Sequence, residues 1–326
     1  MHSASLRYLF LFFLFCFSNT PRETFSTMRR ALLCFLYLLS SLNLLLFASA
    51  CRQPSPPHIT IGSKFFTEQV ILAELLAQHI EARTGIPVDR KTNLGGTLLV
   101  HKALLAGDID LYVEYTGTAL TAVLNESPDS DTSAEIYNRV KQQYAQRFHL
   151  VVTEPLGFEN TFAMVVRGDD AKKFHLRTMS DLAPIAPHWR LGVGYEFLER
   201  PDGFPGWSKR YNLHFAAAPD VMDLGLLYRA LVGHQVDIVA GNSTDGLIDS
   251  LHLVALEDNL HYFPPYDAVP IVRQSALEKF PQLRPALADL AGKISAAEMR
   301  HLNAEVDADQ RDVAAVVRAF RASKHL

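Results

Sequence analysis

The chain has 326 residues, 48% of them hydrophobic and 20% charged, with a formal charge of -4. That composition is globular and long enough for two lobes. It argues against a nucleic-acid binder, which would need a basic face that this chain does not display, and the slight acidity bears mainly on solubility.

Residues 1–50 read as a leader. The apolar run from Tyr8 to Phe17 is about ten residues, short for a membrane span, and it precedes Met28. A mis-set start accounts for residues 1–27, with Met28 the true beginning; a transmembrane hairpin is the alternative. Arg29-Arg30, the apolar stretch from Ala31 to Leu39, and the small residues Ala48-Ser-Ala50 then form a secretory signal. Cys51 follows directly and resembles the lipidated cysteine of bacterial lipoproteins, although Ala48 stands where leucine is preferred. The alternative is an ordinary signal cut nearby. Cys16 and Cys34 lie in the leader, so cleavage before Cys51 leaves one cysteine and no internal disulfide. The remaining 27 basic and 34 acidic residues give a charge of -7.

Residues 51–58, with Pro54, Pro56 and Pro57, predict an extended tether. Strand and helix patterns then alternate. Ile59–Gly62 reads as a strand, and Thr67–Arg83 as a helix with Thr67 at its N-cap, ended by Gly85. Val88–Thr92 is a second strand, Leu98–Ala106 a helix closed by Gly107, and Ile109–Tyr115 a third strand before a helical Thr118–Leu124. A polar loop over 125–132 leads to a helix at Ser133–Arg147 and strands at Leu150–Thr153 and Asn160–Val166. Further on come strands at Trp189–Gly194, His214–Ala216 and Val236–Ala240, with a helix at Met222–Val232 ending at Gly233. Tyr262–Arg273 is extended, and the tail from Ser275 is helical in several pieces. This alternation predicts an α/β chain of parallel βαβ units in two lobes, with a ligand cleft between them at the strand ends.

Enzyme signatures are scarce. The chain has no Gly-x-Gly-x-x-Gly, no phosphate loop and no His-Glu-x-x-His. Gly241-Asn-Ser-Thr-Asp-Gly246 has its glycines one residue too far apart for a nucleophile elbow. The thirteen histidines are scattered, which favours surface roles over a metal site. Asp110 and Glu114 share a strand face with Tyr112, but nothing else supports sugar chemistry. The expectation is a binder with no metal and no cofactor. Tyr115 and Thr118, where a buried strand runs into a tight turn, face the ligand in this reading.

Several motifs occur together and in order: Gly62-Ser-Lys-Phe-Phe-Thr-Glu-Gln69, Asn93-Leu-Gly-Gly-Thr97, Glu114-Tyr-Thr-Gly-Thr118, Pro155-Leu-Gly-Phe-Glu-Asn-Thr161, Glu196-Phe197 with Arg200 and Asp202-Gly203, Ser243-Thr-Asp-Gly246, and Phe263-Pro-Pro-Tyr-Asp-Ala-Val-Pro270. In this the chain resembles the substrate-binding proteins of osmoprotectant ABC transporters, which take up glycine betaine, carnitine, choline and related quaternary amines. The resemblance spans roughly residues 58–320. It implies a two-lobed type II periplasmic-binding-protein fold, with lobe 1 at 59–160 and 268–326 and lobe 2 at 161–267. It implies an extracytoplasmic, monomeric lipoprotein, anchored through Cys51 and working with an ABC permease.

A quaternary ammonium donates no N–H hydrogen bond, so aromatic faces hold it, each contact worth roughly 0.5–2 kcal/mol. Carried over by motif, Tyr115, Tyr266 and Tyr195 are the aromatic candidates. Thr97, Thr118, Lys64, Phe65, Asn160, Thr161, Asn242 and Thr244 are the other contacts. Two positions depart from the family: Asn242 stands where an aromatic is frequent, and Phe65 where Asn or Asp is common. The alternatives are the same fold holding an amino acid or aromatic solute for uptake or sensing, and an enzyme on that fold.

Overall fold

In the computed structural model, residues 57–128 and 132–326 are described. The leader, Cys51 and the tether as far as Pro56 lie outside the described residues, so the readings made for them are not addressed by the fold.

Two five-stranded sheets organise residues 57–326. The first has the order β2-β1-β3-β10-β4, built from β1 (Ile59–Gly62), β2 (Val88–Lys91), β3 (Leu111–Tyr115), β4 (Leu150–Val152) and β10 (Ala268–Arg273). The second has the order β7-β6-β8-β5-β9, built from β5 (Phe162–Arg167), β6 (Leu191–Val193), β7 (Asp220–Val221), β8 (Ile238–Asn242) and β9 (Leu253–Leu256). The same order, with different numbers, thus occurs twice. Neither sheet is wholly parallel, contrary to the expectation from βαβ rhythm. β10 runs antiparallel to β3 and β4, and β5 runs antiparallel to β8 and β9. The reason is connectivity. β5 and β10 each enter their sheet from the other one, arriving where the parallel strands end. A strand that starts there has to run the opposite way.

The two crossings, residues 153–161 and 257–267, are paired with each other by a bridge between Glu159 and Asp267. Asn160 N–H donates to the Tyr266 carbonyl at 3.1 Å, and Ala268 N–H to the Phe158 carbonyl at 3.0 Å. Each sheet has its own apolar layers. Ile59, Ile61, Leu72 and Leu76 belong to one layer beside the first sheet, and Trp207, Phe197 and Leu191 to one beside the second.

The helix α1 (Thr67–Thr84) is buried on nearly every side, because the first sheet covers one face and the C-terminal helices cover the other. Its start differs from the sequence reading. Phe66 is the extended N-cap and makes no side-chain cap, while Thr67 is the first helical residue and donates its hydroxyl to Asp307 Oδ1 at 2.6 Å. Gly85 and Gly107 end α1 and α2 (Thr97–Ala106) in the left-handed conformation that glycine adopts without strain. α3 (Ser133–Phe148) begins with a capping box between Thr132 and Glu135.

Further differences lie in lobe 2. The expected strand at His214–Ala216 is absent; the pairing edge belongs to Asp220–Val221, hydrogen-bonded to Gly192–Val193. Phe215 instead stacks its ring on Trp207, with centroids 6.1 Å apart. The strand Leu253–Leu256 was not anticipated. Only its two end residues are buried, so it carries no alternation to read.

Candidate functional site

The strands that end at the cleft deliver its wall. Lys64 and Phe65 follow β1, Tyr115 ends β3, Tyr195 and Glu196 follow β6, and Asn242 ends β8. The crossings add Asn160 and Tyr266, and lobe 2 adds Phe162, Phe197 and Arg200. Together they line a narrow cavity that is partly continuous with solvent.

The turn after β3 has an unusual backbone. Thr116–Thr118 makes one α-turn and then widens into a π-turn over Ala119–Val123, a form found often at functional sites. Gly117 sits against the second crossing. A Cβ there would meet the Pro265 carbonyl and the Tyr266 ring at 2.7 Å. The glycine therefore lets Tyr266 lie close to Tyr115's turn.

Lys64, Phe65, Tyr115, Thr118, Asn160, Tyr195, Asn242 and Tyr266 all line the cavity. Thr97, Thr161 and Thr244 do not, and each has a local reason. Thr97 opens α2, and its N–H donates to Glu196 Oε1 at 2.5 Å. Thr161 N–H donates to the Ser243 hydroxyl at 3.1 Å, which ties the crossing to lobe 2. Thr244 is fully buried and donates its hydroxyl to Glu68 Oε2 at 2.5 Å.

The aromatic residues differ in state. Tyr115 and Tyr266 are buried, and their hydroxyls donate to Glu68 Oε1 at 2.6 Å and Asp202 Oδ2 at 2.5 Å. Tyr195 is 66% exposed and lies at the rim. The protein's own cations lie over several rings. Lys64 Nζ is 5.3 Å from the centroid of Tyr115, and the Arg200 guanidinium is 4.9 Å from that of Phe162 and 5.9 Å from that of Tyr266. Phe66, unforeseen in the sequence reading, stacks on Tyr115 at 6.5 Å and lines the wall. Phe162 and Phe197 were missed as well; alternation marks Phe162 only as a strand residue.

Both cations are neutralised. Lys64 forms a buried ion pair with Glu114, which also accepts from Tyr112 OH at 3.1 Å and Tyr115 N–H at 2.8 Å. Arg200 grips Asp202 with two hydrogen bonds, Nε to Oδ1 at 2.9 Å and Nη2 to Oδ2 at 2.5 Å. Burial pushes the Asp202 carboxyl up, but Arg200 and the Tyr266 hydroxyl outweigh it and hold Asp202 below its ordinary value. Glu196 behaves alike. Burial raises it, while Lys64, Arg200 and the Thr97 N–H bring it down on balance. Its carboxylate lies at the N-terminus of α2, where the helix dipole favours negative charge. Gly96 leaves the room, since a Cβ there would stand 2.7 Å from Glu196 Oε1.

Glu68 is different. Burial raises its carboxyl, and the four side-chain donors around it offset this only in part. Among the described residues, no group of three or more His, Cys, Asp or Glu side chains is placed to hold a metal ion. No helix there is long and apolar enough to cross a membrane.

Two lobes joined by paired crossings, with an aromatic cleft at the strand ends, define a solute-binding protein of the periplasmic-binding class. The comparisons with known proteins agree. Residues 57–323 match the family described as the substrate binding domain of ABC-type glycine betaine transport systems. The carnitine transport binding protein of Listeria monocytogenes is 37% identical over 282 residues, covering 84% of this chain and 91% of that protein. The ergothioneine transport permease/ergothioneine binding protein of Helicobacter pylori is 33% identical across 88% of this chain, which spans 51% of that longer protein. The crystal structure of a glycine betaine/carnitine/choline ABC transporter superposes with a TM-score of 0.69 at 34% identity, over 82% of this chain and 98% of that one. The chain belongs to the family of substrate-binding domains of ABC-type glycine betaine transport systems.

Proposed function

We propose that the chain captures a quaternary-amine solute of the glycine betaine, carnitine or choline kind in the interlobe cleft and presents it to an ABC importer. The observation that carries this reading is the wall of the cleft. Seven aromatic rings, Phe65, Phe66, Tyr115, Phe162, Tyr195, Phe197 and Tyr266, converge on one small cavity. A trimethylammonium group is large, weakly hydrated and unable to donate an N–H bond, and such rings attract it through their negative faces. Lys64 and Arg200 already hold carboxylate partners, so the wall does not present an unpaired positive field to repel the ligand.

The ligand contacts in this reading are Tyr115, Tyr266, Phe65, Thr118, Asn160 and Asn242, with Tyr195 at the rim. Asn242 lines the cavity with a polar amide, and Phe65 supplies a ring on the opposite lobe. The family is one of transport receptors, and the proposal includes no chemical turnover. Calorimetry against glycine betaine, carnitine, choline and ergothioneine tests the reading. Saturable heat with at least one of them is expected, and silence with all four sinks it.

Extracytoplasmic placement and a lipid anchor at Cys51 belong to the same proposal, supported by the small residues Ala48-Ser-Ala50 before that cysteine and by the family's transport role. The proline tether then holds a monomeric receptor off the membrane. Cys51→Ser is expected to move the protein from the membrane fraction to the soluble fraction. Retention in the membrane would assign anchoring to the apolar leader instead.

A further inference from the structure

We propose that Glu68 is a positioning residue that couples closure of the cleft to the ligand wall, holding Tyr115 of lobe 1 and engaging Thr244 of lobe 2 when the lobes meet. The proposal rests on reading the cleft as the solute site. Glu68 lies in the first turn of α1 behind the cavity, and it is 2% exposed. Its two oxygens are shared out by segment. Oε1 accepts from Tyr115 OH at 2.6 Å and from Asn160 Nδ2 at 2.8 Å. Oε2 accepts from Thr244 Oγ1 at 2.5 Å and from Asn303 Nδ2 at 2.9 Å. One carboxylate therefore touches the aromatic wall, the first crossing, lobe 2, and the helix Ala296–Asp307 packed on lobe 1.

The two other buried carboxylates near the cavity do not share this arrangement. Glu114 has Lys64 and Asp202 has Arg200, whereas Glu68 has no ion-pair partner among the described residues. A buried carboxylate without a cation is tolerable only when its lone pairs are filled by donors. Here one of the four donors comes from lobe 2, so the set is complete only with the lobes together. Asn303 strengthens the tie from its own side, donating to the Thr244 carbonyl at 2.8 Å as well as to Glu68. The carboxylate that rewards closure is also the one that fixes the Tyr115 hydroxyl, so an ordered wall and a closed cleft favour each other.

Two variants separate this role from plain packing. Thr244→Val keeps the branched shape and removes only the interlobe donor. Glu68→Gln keeps the size but places an NH2 group on one side of the hub. Toward Asn303 it opposes an NH2 that also holds the Thr244 carbonyl; toward Asn160 it obliges that amide to turn over, and in both orientations the Tyr115 and Thr244 hydroxyls lose their charged acceptor. The measurements are affinity for glycine betaine, carnitine and choline by calorimetry, amide exchange over residues 243–246 and 298–305, and melting temperature. Each variant is expected to lose about tenfold in affinity. Exchange over 243–246 in the free protein is expected to rise in Thr244→Val.

Wild-type affinity and wild-type exchange in both variants would overturn the proposal. So would a lowered melting temperature with affinity unchanged, because that pattern marks a packing role alone. If neither these three solutes nor ergothioneine binds wild type, the quaternary-amine reading falls. The exchange comparison on the free proteins then still decides whether Glu68 and Thr244 hold the lobes together.

Discussion

The two lobes share a strand order but face the cleft in different states. On lobe 1, Tyr115 is 4% exposed, its hydroxyl is bonded to Glu68, and Phe66 is stacked on its ring. On lobe 2, Asn242 ends the corresponding strand, β8, and the lobe's tyrosine at the cleft, Tyr195, follows β6 instead and is 66% exposed at the rim. The lobe-1 wall is therefore built before the ligand arrives, and its ordering cost is met by the fold itself. The outermost part of the lobe-2 wall has to be ordered on binding. Affinity is expected to depend mainly on lobe 1, with lobe 2 contributing through closure.

Removing the ordered ring is the strongest way to break that comparison. Tyr115→Ala deletes a cage wall worth roughly 0.5–2 kcal/mol in cation–π attraction. It also takes one donor from a buried carboxylate, a further cost of about 1–3 kcal/mol. Affinity for the bound quaternary amine is expected to fall at least tenfold, with the fold retained by circular dichroism. An unchanged affinity in calorimetry would remove Tyr115 from the site and with it the primacy of lobe 1.

A smaller effect should come from the seam between the lobes. Gly96→Ala changes no charge and touches no ligand contact, but its Cβ would stand 2.7 Å from Glu196 Oε1. The carboxylate must then leave the N-terminus of α2 or force the lobes apart. A carboxylate at a helix N-terminus is worth about 0.3–2 kcal/mol, so a loss of roughly threefold to tenfold in affinity is expected. The loss should appear as faster ligand release, measured by stopped-flow, because the contact of Glu196 with the Thr97 N–H joins the two lobes. A slower association rate with unchanged release would show that Glu196 acts on entry instead.

Much of this frame was legible in the sequence because it rests on local signals. The apolar spacing in residues 67–84, the glycines at 85 and 107, and the alternation of strand and helix are read over a few residues each. The motif order pointed to the family for the same reason. The hub on Glu68 was not legible. Its donors lie 47, 92, 176 and 235 residues away along the chain, and no short pattern connects them. Thr97 and Thr244 were expected on the wall from their motifs. Residues 93–97 and 243–246 stop short of the cavity lining; the Thr97 backbone N–H goes to Glu196 and the Thr244 hydroxyl to Glu68, and a motif does not encode how close its residues come to the ligand space.

Tyr195 gives the mildest and most discriminating test. At 66% exposure its ring is solvated before binding, so a cation–π contact there is worth only about 0.5–1 kcal/mol. Ordering the side chain costs a comparable amount, since a rotamer-rich group fixed at an interface costs about 0.5–1.5 kcal/mol. The two nearly cancel, and Tyr195→Ala should weaken binding by no more than about threefold. Calorimetry at two temperatures adds a second readout, because ordering an exposed ring over the ligand buries apolar surface and makes the heat-capacity change more negative. The variant should therefore bind almost as well with a less negative heat-capacity change. A loss as large as that of Tyr115→Ala would mean that the rim of lobe 2 is as much the binding wall as the buried side of lobe 1, and the contrast between the lobes would fail.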